Sequence, residues 1–160
     1  MADEVKFSLI GLDGVLGKLA TVSDEVKRKT GRSALRRAAE MVANNFREGA
    51  RRWDDSETGR SIADNIVLRW NGRLFRRTGS LGFRVGVLHG AVLVKNGSTE
   101  KNAPTPHWRL LEFGTEHIAA DPVARPALAD HIGEVTNEFA TQFERGLDRA
   151  IRRAEKARSS

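Results

Sequence analysis

The N-terminal residues alternate: Val5, Phe7 and Leu9 are apolar, Lys6 and Ser8 polar. This is the period of a strand, closed by Gly11. Leu12, Val15, Leu16 and Leu19 then step as the apolar face of a short helix. Ser23 is placed to cap a second helix, with Asp24 and Glu25 at its positive end. That helix should cover about residues 24–52, with Leu35, Ala38, Ala39, Val42 and Phe46 as its buried stripe and Arg36, Arg37, Arg47 and Arg51 mostly off it. Thr30-Gly31 predicts a kink, or a restart at Ser33, because glycine disfavours a helix interior.

Asp54–Gly59 is rich in turn residues. Beyond it, Ile66–Trp70 and Arg73–Arg77 flank Asn71-Gly72, which predicts a two-residue hairpin. Leu81, Phe83, Val85 and Val87 alternate as a half-buried strand should, and His89-Gly90 leads into a further strand at Ala91–Lys95. Asn96–Pro106 is a polar loop with two of the four prolines. His107–Phe113 suits a short helix, with Gly114 as a left-handed C-cap. Residues 115–125 are irregular, and Pro126 fits the first turn of a last helix. Its stripe is Leu128, Ile132, Val135, Phe139, Phe143, Leu147 and Ile151, spanning about 36 Å. Residues 152–160 are polar and should fray. The expected fold is α+β: one domain over 1–160, an antiparallel sheet of four or five strands packed against a long N-terminal helix and a long C-terminal amphipathic helix.

Composition narrows the chemistry. The 160 residues suit a single core. Without cysteine there is no disulfide, thiolate metal site or cysteine nucleophile. The N-terminus has no apolar signal core, and no apolar run suggests a membrane span. Net charge is +6, unevenly spread. Residues 24–53 carry nine Lys/Arg against four acids, residues 60–84 six against one, and residues 85–143 four against seven. Opposite potentials on different surfaces follow. The basic part could meet nucleic acid or an acidic protein surface, including a neighbouring copy.

His89, His107, His117 and His131 lack metal-site spacing. Asp54, Asp55 and Glu57 look like solvated turn residues, and no serine-nucleophile or phosphate-loop pattern is present. No metal, cofactor or catalytic residue is expected. Glu112 stands out between Leu111 and Phe113: it either points outward or is buried with a partner, Arg125 being first choice for a bidentate pair that pins residues 115–125. Arg69, Arg73, Arg76, Arg77 and Arg84 straddle the hairpin, and alternation would put Arg69, Arg73 and Arg77 on one face. Such a cluster is a solvated face, a partner contact or a nucleic-acid contact.

Two blocks carry a resemblance: His107-Trp-Arg-Leu-Leu-Glu-Phe-Gly-Thr115 and Ala120-Asp-Pro-Val-Ala-Arg-Pro-Ala127, followed by the amphipathic helix. Together they resemble the tail-completion (head–tail joining) proteins of long, non-contractile-tailed phages. Phe7–Asp13, the Leu35–Phe46 helix, Ser56–Ile62 and Arg84–Val87 are similar to further blocks of that family, in order over residues 5–150. Arg52-Trp53-Asp54-Asp55 departs from the family's usual Ala-Pro. The resemblance implies a structural, non-enzymatic virion protein made in the host cytoplasm. It would form a six-fold ring of identical copies in the neck, joining the tail terminator or tail tube protein to the head connector or stopper and leaving a channel in which DNA is contacted non-specifically. Trp108, Leu111, Glu112, Phe113, Gly114, Thr115, Pro122, Arg125 and Pro126 would be its signature site. The competing class is a basic nucleic-acid-binding module with steep salt dependence; a small nuclease ranks third, for want of a metal or general base.

Overall fold

The computed structural model describes residues 12–88 and 103–159. Its elements are α1 (Leu12–Leu19), α2 (Asp24–Ala50), β1 (Ile66–Trp70), α3 (Gly72–Thr78), β2 (Phe83–Val87), α4 (Trp108–Phe113), α5 (Ala124–Ala129) and α6 (Ile132–Arg158), with short 3-10 turns at Arg51–Trp53 and Ala63–Asn65. The strands expected at 5–9 and 91–95 lie outside the described residues.

α2 is the central element. Ser23 caps it, its hydroxyl accepting from the Val26 N–H at 3.4 Å. The helix runs unbroken for 27 residues, so there is no restart at Ser33. Gly31 is buried, and a Cβ there would lie 3.1 Å from Leu81 and 3.7 Å from Phe143. A residue that weakens an isolated helix is tolerated because its bareness lets the chain before β2 and α6 close on α2 from two sides. The deepest positions are Ala34, Ala38, Ala43, Phe46 and Ala50, while Leu35, Ala39 and Val42 of the expected stripe are only half-buried.

β1 and β2 pair antiparallel, with Ile66 opposite Val87, Leu68 opposite Val85 and Trp70 opposite Phe83. These apolar rungs share one face, and both strands pack on α2. A two-stranded ribbon is only marginally stable alone, so α2 supplies its missing layer. Among the described residues the sheet has two strands, not four or five. The strand read at 73–77 is helix α3. Asn71 caps it by accepting from the Leu74 N–H at 3.1 Å, and Gly79 ends it at φ +72°. Asn-Gly serves hairpin turns, but asparagine is also a strong N-cap and glycine is tolerated just inside. The adjacent apolar pair Leu74-Phe75 suits a helix better than an alternating strand.

α6 packs along the side of α2 that the sheet leaves free. Of its stripe only Leu147 is fully buried, and Phe139 stacks on Phe143 with centroids 5.6 Å apart. The helix does not begin with Leu128: α5 ends at Ala129 and a new helix starts at Ile132. At the other end it continues to Arg158. α1 is tied to α6 by Lys18, whose Nζ lies 2.8 Å from Glu144 and 2.9 Å from Asp148.

Candidate functional site: a buried carboxylate under an apolar corner

The core at the C-terminal end of α2 holds Phe46, Ala50, Ile62, Ala63, Ile66, Val123 and Ala127. Phe46 meets Trp53 and Trp108 edge-on, each centroid 6.4 Å away. Trp108 and Leu111 pack against this core from α4. The same helix turn then places Glu112 inward at 1% exposure and Phe113 outward at 62%.

Glu112 is buried because it finishes a helix. The first N–H groups of α5 have no intrahelical acceptor. Oε2 accepts from the N–H of Val123 at 2.7 Å and of Ala124 at 2.8 Å, and Oε1 from that of Arg125 at 3.1 Å. The next residue is Pro126, which has no N–H to satisfy. A carboxylate also suits the positive end of a helix. Arg125 Nε donates to Oε1 at 3.2 Å and its Nη2 to the Glu112 carbonyl at 3.1 Å. The expected Glu112–Arg125 pair is therefore present, but not as a bidentate fork: one arm holds the side chain, the other the backbone, and three amides do most of the holding. Desolvation alone would raise the carboxyl pKa; the three backbone donors and Arg125 outweigh it and hold it below the ordinary value.

Two further contacts fix the loop between α4 and α5. Gly114 adopts φ 73° and ψ 177°, a region open essentially to glycine alone and not the left-handed cap expected. A Cβ there would lie 2.8 Å from the Ala120 nitrogen and 2.9 Å from the Ile118 carbonyl. Thr115 Oγ1 accepts from the N–H of His117 and Ile118, closing a tight turn. The second contact involves residues that sequence reasoning missed. Asp121 accepts from the Arg52 guanidinium and, at 2.9 Å, from Trp53 Nε1. Arg52 also donates to the Pro122 carbonyl at 3.3 Å. These donors hold the Asp121 carboxyl below its ordinary pKa, Arg52 first and Trp53 second. The stretch that departs from the resembled family, Arg52-Trp53, is thus the clamp on its second signature block. Asp54 and Asp55 are exposed, as expected of turn residues, and also organise the turn as acceptors: Asp54 takes the Ile62 N–H at 2.8 Å and Asp55 the Thr58 hydroxyl at 2.7 Å.

Over this polar framework lies a shallow cleft of about 650 Å³ walled by Trp108, Phe113, Leu128 and Ile132. Leu128 is 43% exposed, and the Arg125 guanidinium sits 5.2 Å from the Phe113 ring centroid. The structure thus gathers Trp108, Leu111, Glu112, Phe113, Gly114, Thr115, Pro122, Arg125 and Pro126 into one corner. It does not gather the arginines as expected. Arg69 and Arg84 face each other across the strand pair, both exposed, whereas Arg73, Arg76 and Arg77 are carried away on α3. The expected shared face of Arg69, Arg73 and Arg77 required a strand that is a helix.

Among the described residues no group of three or more His, Asp or Glu side chains could hold a metal ion, and no helix is long and apolar enough to cross a membrane. What the corner offers is a stiff, supported apolar surface. A family model described as "Bacteriophage HK97-gp10, putative tail-component" matches residues 13–114. That is well over half of the chain, which therefore belongs to this phage tail-component family, a family of virion structural proteins. The match includes α4 and Gly114; Arg125, Pro126 and α6 lie beyond it. No curated protein and no solved structure matches the chain.

Proposed function

We propose that this protein is a ring subunit at the head-proximal end of the tail, seated between the tail terminator or tail tube and the head connector, with a central passage for DNA. The observation that carries this reading is the corner itself. Phe113 and Leu128 expose apolar surface directly above a carboxylate bound by four donors. An apolar patch on a rigid base, beside an arginine and an aromatic ring, has the composition of an interface anchor. A ring needs heterologous contacts, in which one surface of a subunit meets a different surface of the next. The uneven charge, basic over 24–84 and acidic over 85–143, provides two unlike surfaces. Six copies would close such a ring. Arg69 and Arg84, like charges on one rung, repel each other in the free chain and would gain from an acidic partner such as the connector or a neighbouring copy.

The test is cryo-electron microscopy of the neck in virions carrying a tagged copy. One ring of this chain between connector and tail, with Phe113 at a subunit contact, is the expected result. Intact particles that lack the protein would sink the proposal.

A further inference from the structure

A second feature lies far from the corner, where α6 crosses the N-terminal half of α2. The two helices touch closely: a Cβ on Gly146 would lie 2.3 Å from Thr30 Cγ2. Above this crossing is a cleft of about 520 Å³ whose charged wall consists of Lys29, Arg149 and Arg153, with Thr30, Ser33 and Gln142 beside them. Among the described residues no carboxylate lines it. The three cations are exposed, and none forms an ion pair with a described residue.

Of the acids on the same helices, Glu138 reaches the rim of the cleft, where it accepts from Gln142 Nε2 at 2.9 Å; others are directed elsewhere. Glu144 and Asp148 are bound to Lys18 on the α1 side. Glu155 lines the groove between α1, α2 and α6, and Glu25 the groove beside Arg32 and Trp70. Charge is also sorted along α6: residues 130–144 hold four acids and no Lys/Arg, residues 145–158 six Lys/Arg and two acids. Arg149 and Arg153 are one helical turn apart and share a face, with Arg145 one turn further back.

We infer that this α2–α6 cleft binds the phosphodiester backbone of DNA. Its chemistry suits phosphate better than a protein surface. Guanidinium groups fork onto phosphate oxygens, and hydroxyl and amide groups donate to them; such contacts position a backbone without reading bases. A protein interface would want a large apolar anchor at its centre. Among the described residues the apolar lining here is only Val26 and Ala150, with no aromatic ring, in contrast to the Phe113 corner. A cleft of one sign also concentrates its field on an elongated polyanion. The site does not depend on the ring reading: a monomer would carry it complete.

The experiment measures binding of a fluorescent mixed-sequence DNA duplex by anisotropy, between roughly 50 and 200 mM salt. The full chain is compared with two triple variants of equal charge. One is Lys29→Gln, Arg149→Gln, Arg153→Gln; the other is Arg51→Gln, Arg60→Gln, Arg109→Gln, exposed residues away from the cleft. The cleft triple should flatten the slope of log K against log salt by about three, roughly one per lost contact, with a clear loss of affinity. The second triple should nearly keep the parent slope. If the cleft triple does not fold, Arg149→Gln alone should remove about one from the slope. No binding by the parent chain, an equal loss in both triples, or displacement of the duplex by polyglutamate at matched charge would each overturn the site. None of these outcomes bears on where the protein sits in the virion, which microscopy of the neck decides separately.

Discussion

The two ends of α2 are built on opposite plans. At its N-terminal half, apolar groups are inside and charge is outside: Gly31, Ala34 and Ala38 lie beneath their neighbours while Lys29, Arg32 and Arg36 face solvent. At its C-terminal end an apolar core is again inside, but the α4–α5 corner packed on it is inverted. A carboxylate is inside, and Phe113 and Leu128 are outside. The first plan is the ordinary result of the hydrophobic effect and explains stability on its own. The second is tolerable only because backbone and guanidinium donors replace the water that Glu112 gives up. It leaves apolar area uncovered, which a partner could bury at about 25 cal/mol per Å². Inverted burial, more than exposure alone, separates a docking surface from scattered surface apolar residues.

The inversion can be broken most severely at its base. Glu112→Ala strips the start of α5 of its acceptors and should cost about 3 kcal/mol, lowering the melting temperature by roughly 6–12 °C. Glu112→Gln should cost less, because its amide oxygen can still accept. The pH dependence has a definite sign. The folded carboxyl pKa lies below the ordinary 4.5, so its stabilisation is present above that value and is lost as pH falls through the folded pKa. Denaturant titrations from pH 6 downward should show this loss in the parent chain and a shallower one in Glu112→Gln.

Gly114→Ala attacks the same corner through the backbone. It combines a positive φ with contacts under 3 Å to backbone atoms, and about 2–3 kcal/mol should be lost in equilibrium unfolding. At the ordinary end, Gly146→Ala drives a methyl against Thr30 and should cost about 1–2 kcal/mol. Thr30→Ala in the same chain should restore most of it, because the 2.3 Å clash is with Cγ2 alone and the Cβ lies at 3.5 Å. A double-mutant cycle without coupling would show that the helices do not meet there. The smallest effect on the free chain is expected from Phe113→Ser, within about 0.5 kcal/mol. The same change should abolish incorporation into particles, scored by plaque complementation. A large loss of stability with normal incorporation would mean that Phe113 serves the core and not a partner.

Sequence reasoning reached the parts of this molecule that rest on periodicity and nearest chemistry. The α2 start at Ser23, the β2 alternation and the choice of Arg125 for Glu112 all follow from rules acting over about a dozen residues. It misread α3 because Asn71-Gly72 satisfies both a hairpin and a helix cap; the signal against the hairpin was the adjacent apolar pair Leu74-Phe75, which breaks a strand's alternation. It gave Gly31 the cost of an isolated helix, when the partners that reward its bareness are Leu81 and Phe143, distant in the chain. The Arg52–Asp121 clamp joins residues 69 apart, and no local pattern announces it. The Ala120-Asp-Pro block was visible; that its Asp121 would reach back to a tryptophan and an arginine was not.

The distance between α2 and α6 along the chain sets a schedule for folding. Lys18 finds Glu144 across 126 residues, and Gly31 is covered by Phe143. Contacts of such separation carry a loop-closure cost before they return anything, and they slow folding. During synthesis, at roughly 5–20 residues per second, the strand pair and α2 emerge well before their second cover. For several seconds the side of α2 at Thr30 and Gly31 therefore lacks Gly146 and Phe143, the α6 residues that close on it. The nascent chain at that stage is a half-closed sandwich, with its greatest exposure to aggregation or to a chaperone falling just before α6 leaves the ribosome.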